Sequence, residues 1–188
     1  MQKQQDLAAY YFHQGTNFHA YEYLGVHLTF TEEGTRRYVF RTWAPNADRV
    51  ALISDFTGWD EGVPFERVTD RGVWELSYTA DHSLERAAYK FRITRNGVSH
   101  NKGDPYAVSS RGGADGASII FCESSYEWED AAWLTHRRAA VLPTSDEYLS
   151  SPLNIYEVHL ASFMRKEDGG YYTYREMADI LPSYVKSM

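Results

Sequence analysis

Apolar and polar positions alternate in short runs along the middle of the chain: RYVFRTW from Arg37, RVALIS from Arg49, GVWELSYT from Gly72, RAAYKFRIT from Arg86 and GASIIFC from Gly116. Period-two alternation marks half-buried strands, and turn residues separate these runs at Pro45-Asn46, Gly58, Asp70-Arg71-Gly72, Asn96-Gly97 and Asp104-Pro105. The pattern predicts an antiparallel, immunoglobulin-like β-sandwich over residues 31–122 in a mostly β chain. Faces can be assigned from the alternation. Trp74, Leu76 and Tyr78 share one side of their strand and are expected in the core; Tyr89, Phe91 and Ile93 point one way, while Lys90 and Arg92 point the other, into solvent. Trp59 stands apart in the segment SDFTGWDEG, read as a loop, where Gly58 and Gly62 free the backbone and Asp55, Asp60 and Glu61 keep the surroundings wet.

The ends of the chain follow different patterns. Residues 1–30 read as a short helix to about residue 13, with Leu7, Tyr10 and Tyr11 on one side, followed by an irregular aromatic segment. Residues 123–152 are mixed and polar and read as a linker with a short helix around YEWEDAAWL. In residues 154–160, NIYEVHL, the apolar Ile155, Val158 and Leu160 with flanking Tyr156 and Phe163 resemble a strand buried on both faces of a parallel sheet. Beyond the loop at Gly169-Gly170, Thr173 stands three residues before Glu176, the spacing of a capping box. Tyr174, Met177, Ala178, Leu181 and Val185 then recur at helical intervals. Residues 153–188 are therefore expected to form one βα unit. A (β/α)8 barrel needs about 250 residues for eight such units, so this one reads as the orphan start of a truncated barrel.

Composition narrows the function. The formal net charge is −7 and no Lys/Arg run is interleaved with aromatics, which argues against nucleic acid and anionic membranes as partners. The single Cys122 cannot form an internal disulfide, no run reaches the roughly 18 apolar residues of a membrane span, and the N-terminus lacks an export pattern. A cytoplasmic setting is the expectation. Aromatic residues are unusually frequent, with 15 Tyr, 9 Phe and 5 Trp, and rings with a polar tip suit the amphipathic faces of sugars.

The chain also carries FHQGTNFHAYEYLGVH, RTWAPNADRVAL, SDFTGWDEG, GVWEL, AAYKF, KGDPYA, NIYEVHLASFMR and TYREMADILPSYVKSM, in that order. In this it resembles the N-terminal part of bacterial 1,4-α-glucan (glycogen) branching enzymes, which place a family 48 carbohydrate-binding module before a glycoside hydrolase family 13 barrel. The WAPNA, loop-Trp and YKF elements also occur in debranching enzymes and trehalohydrolases. A non-catalytic glycogen-targeting module is the alternative from another class. The resemblance implies a module for glycogen or linear α-1,4-glucan, with the rest of the barrel as its partner in the same protein. In the related glycogen-binding module of the AMP-activated kinase β subunit, a loop Trp, a strand Lys and a second Trp line the sugar site. Trp59 and Lys90 match the first two, and the position after the Asn96-Gly97 turn read as the counterpart of the second Trp holds Val98. Ala161 and Phe163 stand where the family more often has Gly and Trp.

Branching cleaves an α-1,4 bond and transfers the chain to a 6-hydroxyl with retention, which needs a carboxylate nucleophile and an acid/base about 5 to 5.5 Å apart. The resemblance places both on later barrel strands, so no catalytic residue is expected here and the fragment by itself is expected to be inactive. The acids Asp60-Glu61, Glu66, Asp70, Glu127, Glu129, Asp130 and Asp146-Glu147 read as solvated loop charges, and Glu157 and His159 as supporting residues of the barrel strand. No HExxH spacing occurs, and the Arg111–Gly116 run lacks the Lys-Ser/Thr ending of a phosphate loop, so neither metal nor cofactor is expected.

Overall fold

The computed structural model describes residues 2–113, 115–122, 127–140, 152 and 154–188. The chain divides into two compact units, residues 1–126 and 127–188.

The first unit opens with helix α1, Gln2–Gln14, and a 3-10 turn at Ala20–Glu22. Ten strands follow: β1 Gly25–Phe30, β2 Arg36–Trp43, β3 Arg49–Ser54, β4 Gly58–Pro64, β5 Glu66–Arg67, β6 Val73–Ala80, β7 Ala88–Arg95, β8 Val98–Lys102, β9 Ser109–Ser110 and β10 Ser118–Ile119. They make a four-stranded sheet in the order β1-β2-β6-β5 and a six-stranded sheet in the order β4-β3-β7-β10-β9, with β8 also paired to β7. Every pairing is antiparallel.

Alternation decides what lies between the sheets. Tyr38, Phe40 and Trp74 from one sheet meet Val50, Leu52, Tyr89 and Phe91 from the other in a single core, with Leu76, Tyr78 and Ile93 packed against it. Phe40, Tyr89 and Phe91 are completely buried, and each such side chain contributes about 1.5–3 kcal/mol by leaving water. The polar tips in this core are all satisfied. The Trp74 indole N–H donates to the Ala44 carbonyl at 2.9 Å, the Tyr38 hydroxyl accepts the Leu84 amide at 2.9 Å, and the Tyr89 hydroxyl donates to Asp104 Oδ2 at 2.8 Å.

Helix α1 forms as expected, but its buried side differs. Leu7, Tyr10 and Tyr11 are about half exposed, whereas Ala8, Ala9 and Phe12 pack with Tyr23, Leu24 and Val73. Phe12 meets the Trp43 ring edge-on at 5.7 Å, and small alanines let the helix approach the end of the sheet. Strand β1 lies within the stretch read as irregular. Strand β4 occupies the segment read as a loop, so Trp59 sits on an edge strand.

The second unit holds α2, Ala131–Ala140, α3, Leu160–Phe163, and α4, Tyr174–Ser187. The expected capping box is present: Thr173 Oγ1 accepts the Glu176 amide at 3.3 Å, and Glu176 Oε2 accepts the Thr173 amide at 2.7 Å. The strand expected at 154–160 is not formed; residues 154–159 carry no regular structure and Leu160 begins α3. Its apolar pattern suits burial in a sheet, but strands exist through lateral hydrogen bonds, and among the described residues no other strand runs beside this segment. Ile155 is accordingly 82% exposed, while Tyr156 packs on Tyr184 of α4 at 5.9 Å and Phe163 on the same ring at 5.2 Å.

Candidate carbohydrate-binding site

Trp59 and Lys90 belong to neighbouring parts of the six-stranded sheet. Lys90 pairs with Ile53 and Arg92 with Ala51 across β3 and β7, so both cations project from the face turned away from the core. Ser54 ends β3 by accepting the Thr57 amide on its hydroxyl at 3.1 Å, and the resulting turn swings Phe56 back toward the core, 5.0 Å from the Tyr78 ring. Asp55 is thereby held at the rim. Its Oδ2 accepts the Ala88 amide at 2.9 Å and its Oδ1 accepts the Trp59 indole N–H at 3.1 Å. The indole is 37% exposed, with its one polar atom already satisfied.

Gly62 makes this arrangement possible. Its φ is +78°, and a Cβ there would lie 2.6 Å from the Leu52 carbonyl oxygen, so only glycine lets β4 lie this close to β3. The pairing of β4 with β3 is irregular between Leu52 and Ser54, which places Trp59 in a bulged edge. Arg92 Nη2 donates to the Trp59 carbonyl at 3.1 Å and its Nε to Asn101 Oδ1 at 3.1 Å, fixing the backbone beneath the ring.

Lys90 was expected to be exposed, and here the structure corrects the reading. Its side chain retains only 16% exposure because Nζ donates to Asp115 Oδ1 at 2.8 Å. Arg111 lies between the two halves of the site, 3.7 Å from Asp55 Oδ2 and 3.9 Å from Asp115 Oδ2. Trp59 and Lys90 are therefore joined through Asp55, Arg111 and Asp115. The hydrogen bond from Lys90 holds Asp115 below the usual carboxylate range against an opposing desolvation, with further lowering from the charges of Lys90 and Arg111. Sequence reasoning missed Asp55, Arg111 and Asp115 as site residues; only the acid-rich, glycine-flanked context of Trp59 hinted at the first.

The register also revises the place expected for a second aromatic. Val98 pairs with Arg95, on the opposite face from Lys90, whereas Ser99 pairs with Thr94 and Asn101 with Arg92 on the Lys90 face. Position 99 is thus the one nearest the turn on the site's side of β8, and it too lacks a ring.

The acids singled out in the sequence lie apart from this arrangement. Asp60, Glu61, Glu66 and Asp70 are exposed, Glu127 and Glu129 are exposed and Asp130 half-buried in the second unit, and Asp146-Glu147 lie outside the described residues. Glu157 and His159 share no strand; His159 stands at the N-cap position of α3 without a side-chain capping bond, its Nδ1 2.9 Å from Ser162 Oγ. Asp104, whose burial raises its carboxyl above the usual range, accepts from Tyr89 and from the Tyr106 amide inside the module. Among the described residues no cluster of His, Cys, Asp and Glu can hold a metal ion, and no helix is long and apolar enough to cross a membrane.

Both strands of the site fall within residues 23–107, which match the family described as carbohydrate-binding module 48 (isoamylase N-terminal domain). The match lies wholly within the first unit and takes in β1 to β8. Over 98% of its length the chain is also 39% identical to the 1,4-alpha-glucan branching enzyme GlgB of Francisella philomiragia and 38% identical to that of Francisella tularensis subsp. novicida. The match is to an N-terminal region of those proteins, and the chain spans 28% of their length. Among solved structures, a pullulanase from Bacillus acidopullulyticus is similar over 52% of this chain and 11% of its own, with 25% identity and a TM-score of 0.38.

Proposed function

We propose that this chain is the glucan-binding N-terminal region of a cytoplasmic glycogen branching enzyme, a protein that cleaves α-1,4 linkages and transfers the released chain to a 6-hydroxyl. The sandwich, immunoglobulin-like in this reading, holds glycogen or linear α-1,4-glucan, and residues 153–188 supply the first strand and helix of the catalytic barrel. NIYEVHL becomes a strand only when neighbouring barrel strands offer it hydrogen bonds. The retaining carboxylate pair belongs to the remainder of the barrel.

The observation that carries the proposal is the part-exposed Trp59, fixed at its N–H by Asp55, which Arg111 links to the Lys90–Asp115 pair. A ring held in this way covers the apolar face of a glucose unit. Lys90 Nζ, Arg111 and the two carboxylates then offer donors and acceptors to its hydroxyls. Co-sedimentation with glycogen tests the reading: the chain should pellet with the polymer and stay soluble with dextran, a glucan of α-1,6 linkage. Equal recovery with both, or with neither, contradicts it.

A further inference from the structure

A second concave site lies on the other side of the sandwich. It is a cleft of about 530 Å3 between α1, residues 15–19, the 3-10 turn and the outward positions of β1 and β2. Small-molecule sites commonly occupy roughly 300–1,000 Å3.

Phe18 stands on its wall and is 87% exposed, so its ring is free to meet a ligand. Its loop is pinned on both sides. Asn17 Nδ2 donates to the Ala8 carbonyl at 3.2 Å, Asn17 Oδ1 accepts the His19 amide at 3.0 Å, and the Thr16 amide reaches the Tyr11 carbonyl at 3.0 Å. Phe18 is thus presented on a fixed loop, with the half-exposed Tyr11 also lining the cleft.

The floor offers little to an anionic ligand. Arg41 is buried, lies 5.0 Å over the Tyr23 ring, and gives its Nε to Glu75 Oε2 at 2.6 Å. Its charge is consumed within the protein, and the rim carries Glu22, so no free cation waits for a phosphate or carboxylate. Aromatic surface with mixed neutral donors and acceptors suits a polyhydroxylated ligand.

We infer that this cleft is a second site for short linear α-1,4-glucan, with sugar faces on Phe18 and Tyr11; the inference rests on the glucan-binding reading of the Trp59 face. Two sites on opposite faces of one module raise the avidity for a many-ended polymer without any new contact.

Titration of the 15N-labelled chain with maltoheptaose separates the possibilities. Amide shifts are expected in two sets, residues 16–29 and residues 55–62 with 88–92, with two ligands per chain. Phe18→Ala, at an exposed position that does not support the fold, should abolish the first set or weaken it about tenfold, at an unchanged thermal midpoint, and leave the second set intact. Trp59→Ala should do the reverse. A single set on the Trp59 face, 1:1 and untouched by Phe18→Ala, overturns the inference while the function stands. A single set in the cleft removes the Trp59 site and with it the claim of two sites, leaving the cleft as the one glucan site seen. No shifts anywhere remove both.

Discussion

The carboxylate of Asp55 holds the Trp59 ring and the backbone of β7 at once, accepting the indole N–H at 3.1 Å through one oxygen and the Ala88 amide at 2.9 Å through the other. One rim residue therefore sets both the angle of the Trp59 indole and its distance from the Lys90 strand.

Removal of this carboxylate should be felt twice. Asp55→Ala leaves the amide of the buried Ala88 without its partner, which costs about 1–3 kcal/mol in urea unfolding. Maltoheptaose affinity should fall as well, because the indole loses the carboxylate that positions it and the site loses one acceptor. Affinity unchanged in Asp55→Ala would show that the indole keeps its place unaided.

Gly62→Ala tests the close approach of β4 to β3. A side chain at φ +78°, with its Cβ 2.6 Å from the Leu52 carbonyl, is strained by on the order of 1–3 kcal/mol, and β4 must move outward to relieve it. The measurable result is a lowered urea midpoint together with faster hydrogen exchange at the amides that pair β4 with β3. A stability equal to that of the parent would refute the packing described for this edge.

The two units should answer acid in opposite senses. Glu176, hydrogen-bonded by Lys166 and by the Thr173 amide and hydroxyl, has its pKa lowered from 4.5 to about 2. A depressed carboxylate stabilises the folded form above its unfolded pKa and loses that contribution as pH falls, here between about 4.5 and 2. Helix α4 should fray over that window, followed by the amide resonances of residues 173–177, and Glu176→Gln should flatten the profile. Asp104 is the converse case. Burial raises its pKa above 3.8, so its ionisation opposes folding and module stability should decline as pH rises above that value. Asp104→Asn should remove this decline, as read by urea unfolding of the first unit at several pH values.

Much of the sandwich was legible because β6 and β7 alternate core-facing and outward residues. Trp74, Leu76 and Tyr78 on β6, and Tyr89, Phe91 and Ile93 on β7, all turn to the core as the period-two reading requires. The capping box at Thr173 and Glu176 was equally plain, since it is written within four residues. Strand β4 was hidden because Gly58, Asp60, Glu61 and Gly62 carry turn chemistry, and an exposed edge strand needs no apolar alternation. The buried side of α1 escaped because Ala8 and Ala9 pack by being small, whereas large Leu7 and Tyr10 give the stronger pattern. Of the site, the sequence and its resemblance pointed to Trp59 and Lys90. The residues joining them lie far along the chain: Arg111 is distant from Asp55, and Asp115 from Lys90, so no local pattern links them. NIYEVHL shows the same limit from the other side, because apolarity is local and strand pairing is not.

The most direct measurement is the calorimetric titration of this chain with maltoheptaose beside its folded Trp59→Ala variant. Loss of one sugar-covering indole should weaken binding at that face by about 1–3 kcal/mol, with no change in thermal midpoint. Identical titration curves for the two proteins would contradict the account and move the glucan away from Trp59.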